Sequence, residues 1–278
     1  MPSWPAVRAQ TPLGRDDFIA RPLPIQSELH RLFPRLDVRV IFDVGSCEGE
    51  DAIRYSLLFP SAVVFAVEPL PSNVRLIEGN LARYPHVSVR VLPFALSNSA
   101  GSATLFVSSG QPEGATSEDW DYGNKSSSLL RPERHLDVHP WVHFNDQIEV
   151  ATDTLESVCS REGITDIDLV HLDVQGAELT VLEGAGSLLE RIGAIWMEVE
   201  AISLYEGQPL KPEVEHFMAA RGFRRMVDTV DSVSGDQLYF NPRILRPKRE
   251  SLLSLTNRWL GRHGRSPEAA RRASRDGG

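Results

Sequence analysis

The stretch Ile41-Phe42-Asp43-Val44-Gly45-Ser46-Cys47-Glu48-Gly49 decides how the rest of this chain is read. An apolar, β-branched run over 38–44 reads as a buried strand, and it passes through a glycine turn into a helix predicted over 50–59 and stopped by Pro60. A glycine turn in that place lets the backbone approach a nucleotide-like ligand and aims the first N–H groups of the helix at it. Gly45-x-x-x-Gly49 is not the dinucleotide pattern G-x-G-x-x-G, and glycines also simply turn chains, so by itself the turn leaves both readings open. The second strand ends in Val67-Glu68-Pro69, which puts an acid 25 residues after Asp43. An acid there is placed to accept both hydroxyls of a ribose. The other reading of Glu68 is a rim carboxylate ahead of a proline-started helix.

Working outward, strands are predicted over 38–44, 62–67, 87–95, 168–174 and 192–199. All are short and nearly continuously apolar, as parallel strands buried on both faces are. Helices are predicted between them over 50–59, 72–84, 153–162, 177–191 and 211–221. Val74, Ile77, Leu81 and Tyr84 step at helical spacing, as do Val181, Leu182, Ala185, Leu188 and Leu189. Asp153 with Glu156 resembles a capping box. Segments 223–230 and 236–240 flank the turn Asp231-Ser232-Val233-Ser234-Gly235 and read as an antiparallel hairpin. The alternation predicts an α/β fold, a doubly wound, mostly parallel sheet over 38–243. A proline-rich arm over 1–37 with one short helix at 25–33 precedes it, and a tail over 244–278 follows. An irregular insertion over 108–146, rich in Gly, Ser and aromatics, is expected to meet the substrate.

Composition removes several classes. Of 278 residues, 41% are hydrophobic and 20 are glycine, which is a globular balance. There is no run of about 18 apolar residues and no secretion signal, so a soluble, cytoplasmic protein is expected. Two cysteines, Cys47 and Cys159, are too few for a disulfide framework or a four-thiolate zinc site. The net charge of −9 argues against a globally basic nucleic-acid binder. It is unevenly spread: 244–278 carries nine Arg or Lys against three acids. With Leu252, Leu255, Trp259 and Leu260 at helical spacing, that tail reads either as a membrane- or partner-binding segment or as a solvated extension.

Six ordered stretches resemble the FkbM-type S-adenosylmethionine-dependent methyltransferases. They are Phe42-Asp43-Val44-Gly45, Glu68-Pro69 with Asn73, Ala95-Leu96-Ser97, Ser127-Ser128-Leu129, Leu172-Asp173-Val174-Gln175-Gly176-Ala177-Glu178, and Leu204-Tyr205-Glu206-Gly207-Gln208. The chain departs from the family at Cys47, where Asn is usual, and at His171 and Gln175, where Lys and Glu are frequent. The resemblance implies a seven-stranded, Rossmann-like class I methyltransferase sheet. It also implies O-methyl transfer from S-adenosylmethionine to a hydroxyl of a sugar, glycan or secondary metabolite. The cofactor-binding residues it implies are Asp43, Gly45, Ser46, Cys47, Gly49, Glu68, Asn73 and Ala95. A nicotinamide-dependent oxidoreductase and a non-catalytic cofactor-holding scaffold are the competing readings.

A sugar hydroxyl, barely ionised at neutral pH, requires a general base. Asp173, at the carboxyl end of the fourth predicted strand, is the first candidate, the alternative being a cap for the helix that follows. His171 shares its strand face and is either a base, a partner or a hydrogen-bonded core residue. Glu198 and Glu200 share a face at the end of the fifth strand, as hydroxyl-gripping acids, a base or solvated charges. Glu178, in the first turn of a helix, gains from the dipole whatever its role. His135, His139 and His143 have the spacing of a metal-binding helix face, but Pro140 interrupts it, so no metal is expected.

Overall fold

In chain order the elements are α1 (Arg15–Ala20), α2 (Gln26–Leu32), β1 (Val40–Val44), α3 (Glu50–Leu58), β2 (Val63–Val67), α4 (Pro71–Leu81), β3 (Val89–Leu92), β4 (Ala95–Leu96), β5 (Gly101–Ser109), α5 (His135–Val138), β6 (His143–Asp153), α6 (Leu155–Glu162), β7 (Ile167–Leu172), α7 (Glu178–Glu183), β8 (Ile192–Glu200), α8 (Lys211–Ala220), β9 (Arg224–Asp228) and β10 (Ser234–Phe240). They are taken from a computed structural model, which describes residues 14–115 and 122–246. The tail motifs at 252–260 lie outside the described residues.

Seven strands form one sheet in the order β3-β2-β1-β7-β8-β10-β9. The first five in that order are parallel, and β10 runs antiparallel to both its neighbours. The chain builds outward from β1 to β3 and then returns to lay β7 on the free edge of β1. That reversal opens a crevice at the carboxyl ends of β1 and β7, where ligands bind in open α/β sheets. Because both faces of β1 are covered, its side chains enter two cores. Ile41 packs with Leu29, Phe33, Tyr55 and Phe59 on one face, while Phe42 and Val44 pack with Leu172, Leu182 and Met197 on the other. The Phe42 and Phe65 rings stack at 4.8 Å across the β1/β2 pair.

The structure differs from the sequence expectations in five places. The described part of the arm holds two short helices, α1 and α2, where one was expected. The strand predicted over 87–95 is divided at Pro93, which has no N–H to give. Beyond it β4 leaves the main sheet for a second one, β4-β6-β5. Strands β5 and β6, which the apolar pattern does not mark, pair antiparallel from Gly101 with Thr152 to Ser109 with His143. The helix predicted over 177–191 ends at Glu183, with Gly184 as its C-cap and the backbone turning left-handed at Gly186, φ +52°; a Cβ at Gly184 would sit 2.0 Å from the Ser97 carbonyl oxygen. A 3-10 turn, Gly186–Arg191, completes that span. Finally, α6 is capped by Thr154 and not Asp153: the Ser157 N–H donates to Thr154 Oγ1 at 3.1 Å. Asp153 stands one residue too early and accepts from Thr154 N and Arg161 instead. Among the described residues no helix is long and apolar enough to cross a membrane.

Candidate active site

The turn after β1 is held in backbone conformations that favour glycine, with φ of +81° at Gly45, +50° at Cys47 and +84° at Gly49. At Gly45 no side chain fits, since a Cβ would lie 1.9 Å from the Asp173 carbonyl oxygen. Gly45 and Ser46 both donate their N–H to the Val67 carbonyl, at 3.0 and 3.1 Å, which ties the turn to the end of β2. There Glu68 accepts from Cys47 N at 2.9 Å and from Leu70 N at 2.8 Å. Burial raises the Glu68 pKa to about 7 in spite of these donors. Each oxygen keeps further acceptor capacity toward the cavity beside it.

That cavity, about 320 Å³, lies outside the carboxyl ends of β1, β2 and β7. Leu96, Leu105 and Leu129 give it an apolar wall, and Glu68 and Asn73 a polar one. Asp43, His171 and Asp173 also line it. Asp43, 1% exposed, holds His171 Nδ1 at 2.8 Å through Oδ1 and accepts from Ser46 Oγ at 2.5 Å through Oδ2. Burial alone would lower the His171 pKa, but the Asp43 hydrogen bond and charge outweigh it and raise the pKa to about 9. The imidazole therefore carries its proton at neutral pH. Asp173 is open to the cavity and accepts at Oδ1 from Gln175 Nε2, at 2.7 Å. Desolvation in the cleft, together with Asp51 and Asp43, raises its pKa, against lowering by Gln175 and His171.

The turn that follows Asp173 draws its capping from elsewhere. Glu178 Oε1 accepts from Val174 N at 3.0 Å and from Gly176 N at 3.3 Å, so this buried acid, and not Asp173, satisfies those donors. Gln175, at φ +55°, also donates to Glu198 Oε2 at 2.7 Å. Its Oε1 lies 3.0 Å from the Tyr205 hydroxyl.

Residues 43–225 match the Methyltransferase FkbM domain. The chain belongs to the FkbM methyltransferase family. This methyltransferase is 32% identical over 206 residues to 2-O-methyltransferase NoeI of Sinorhizobium fredii (strain NBRC 101917 / NGR234), covering 74% of this chain and 80% of that protein. It is 25% identical over 194 residues to Methyltransferase sdnD of Sordaria araneosa, covering 66% of this chain and 73% of that one.

In this methyltransferase Asp43, Gly45, Ser46, Cys47, Glu68, Asn73, Ala95, His171 and Asp173 all border one cavity. Two other candidates stand behind it. Gly49 abuts Ile77, where a Cβ would meet a side-chain carbon at 3.0 Å. Glu198 is separated from the cavity by Gln175, and burial together with Asp173 and Glu200 holds it well above the usual carboxylate range. Cys159 belongs to the core, while Cys47 faces the cavity with its thiol pKa pushed up by burial. The three histidines divide between elements: His135 is buried in α5 against Phe144 and Tyr205, His139 caps that helix, and His143 begins β6.

Residues that the sequence did not offer as site candidates also border the site. The 3-10 turn Gly123–Ser126 brings Asn124 over the glycine turn, where its Nδ2 donates to Asn73 Oδ1 at 2.9 Å and Glu48 Oε1 at 3.2 Å. Ser128 Oγ donates to the Gln175 carbonyl at 2.8 Å. From α1, Phe18 also lines the cavity, and Arg15 pairs with Glu48 and Glu50. The stretch Ser127-Ser128-Leu129 pointed to the first group by adjacency; nothing local marked Arg15 or Phe18.

Proposed function

We propose that this enzyme is an S-adenosylmethionine-dependent O-methyltransferase acting on a hydroxyl of a sugar, glycan or secondary metabolite. The observation that carries the reading is one cavity bordered both by Glu68 and by an open carboxylate, Asp173. The donor set fits the cofactor. Glu68 has acceptor capacity for a ribose diol, Leu96, Leu105 and Leu129 offer an apolar surface for an adenine ring, and the acidic wall suits a cation. The O-directed part is supported by the likeness to a protein named a 2-O-methyltransferase.

When bound, S-adenosylmethionine supplies an activated methyl group on a sulfonium, so no protein nucleophile is needed. The chain's own work is to orient an acceptor hydroxyl and take its proton. We assign the proton to Asp173. Its carboxylate opens on the cavity, Gln175 fixes its direction, and a raised pKa brings its basicity nearer to working pH. His171, already protonated and paired with Asp43, positions charge beside it. Calorimetry with S-adenosylhomocysteine and with NAD, followed by transfer of labelled methyl to candidate sugars, tests the reading. Binding of NAD in place of S-adenosylhomocysteine would overturn it.

A further inference from the structure

The cavity walls carry five acids: Asp43, Glu50, Asp51, Glu68 and Asp173. Among the described residues that line it, Lys125 is the only lysine or arginine. It comes from the insertion, and its position is fixed by its neighbours. Asn124 bridges to Asn73 and Glu48, and Ser126 N donates to Ser108 Oγ at 3.0 Å. Gly123 is packed so tightly that a Cβ would lie 2.4 Å from the Gly110 nitrogen. The Lys125 ammonium stands 3.7 Å from Glu48 Oε1 and 3.9 Å from Cys47 Sγ, with the side chain 40% exposed. Glu48 is fully buried and has its closer ion pair with Arg15, which also holds Glu50 at 2.6 Å. Arg15 thus serves these acids from the α1 side of the turn, and Lys125 reaches the same place from the cavity.

Building on the S-adenosylmethionine reading, we infer that Lys125 binds the carboxylate of the cofactor's methionyl group. That ligand carries a sulfonium, an ammonium and one carboxylate. Walls of aspartate and glutamate favour the two cations and repel the anion, so the anion gains most beside a cation of the wall other than His171, whose charge Asp43 already offsets. Lys125 supplies that cation, with charge-assisted hydrogen-bond donors on a preformed turn. The insertion therefore grips the cofactor as well as facing the acceptor.

The test compares two ligands by calorimetry. One is S-adenosylhomocysteine; the other is its decarboxylated analogue, which keeps adenosine, thioether and amine. Lys125→Met should weaken the first by about 10- to 100-fold and leave the second within about twofold. Lys125→Arg should restore most of the difference. The analogue also reports whether the Met variant is folded. Unchanged affinity for S-adenosylhomocysteine, or equal loss for both ligands, would overturn the assignment by making Lys125 an acceptor contact or a support of the turn. A wild-type protein that binds neither ligand would overturn the cofactor reading itself, and the assignment with it.

Discussion

Replacing Asp173 by Asn removes one negative charge from the cavity wall and keeps the side chain's size. Gln175 Nε2, 2.7 Å from Oδ1, still finds a carbonyl oxygen there. The backbone N–H groups of the following turn are unaffected, since Glu178 accepts them. One charge-assisted hydrogen bond becomes a neutral one, and repulsion from Asp43 and Asp51 is relieved. These oppose each other, so the net change in stability should be about 1 kcal/mol or less, a shift in Tm within about 4 °C for a domain of this size. Affinity for S-adenosylhomocysteine should stay within about threefold. The methyl-transfer rate should fall by about 10² to 10⁴, the contribution of a positioned base, or about 3 to 5 kcal/mol of barrier. Single-turnover transfer of labelled methyl, with calorimetry and thermal unfolding on the same preparations, separates the three quantities. A stable variant that still turns over at the wild-type rate would refute the assignment. A rate lost in proportion to cofactor affinity would make Asp173 a binding residue.

Glu68→Ala should weaken S-adenosylhomocysteine by about 1.5 to 3 kcal/mol by calorimetry, the range for hydrogen bonds to a charged group; unchanged affinity removes Glu68 from the site. The His171–Asp43 pair raises the imidazole pKa to about 9, so its stabilisation is fully present below about pH 6.5 and is lost as pH rises through about 9. Its size is at most about 3 kcal/mol, and His171→Gln should flatten the fall in Tm between those limits. Iodoacetamide should modify Cys47, at the cavity, before the buried Cys159, slowly because burial disfavours both thiolates, and S-adenosylhomocysteine should protect Cys47. Mass spectrometry showing Cys159 modified first would contradict that order. Gly45→Ala forces a carbon against the Asp173 carbonyl and should lower Tm by well over 5 °C, or prevent folding; a variant with wild-type Tm would mean that the turn yields.

Much of this protein was legible in the order of its residues, and the reason is local. A strand buried on both faces must be apolar throughout, so β1, β2, β7 and β8 announced themselves, and Pro60 and Pro71 marked helix ends because proline lacks an N–H. Gly45 and Glu68 were readable because a turn and a strand end need those residue types near each other in the chain. Other features depend on partners distant in sequence, which periodicity does not report. Asp43 meets His171 across 128 residues, Asn124 meets Glu48 across 76, and Arg15 meets Glu48 across 33. Whether Asp173 or Glu178 capped the turn, and whether Glu198 faced the cavity or stood behind Gln175, was decided by packing. Sequence alone determined which faces are buried and where the glycine turn at the end of β1 lies, since hydrophobic pattern and glycine geometry act over a few residues. Only the tertiary structure decided which charged groups share that edge, because electrostatic pairing depends on distance through space, and the sheet order places β1 beside β7.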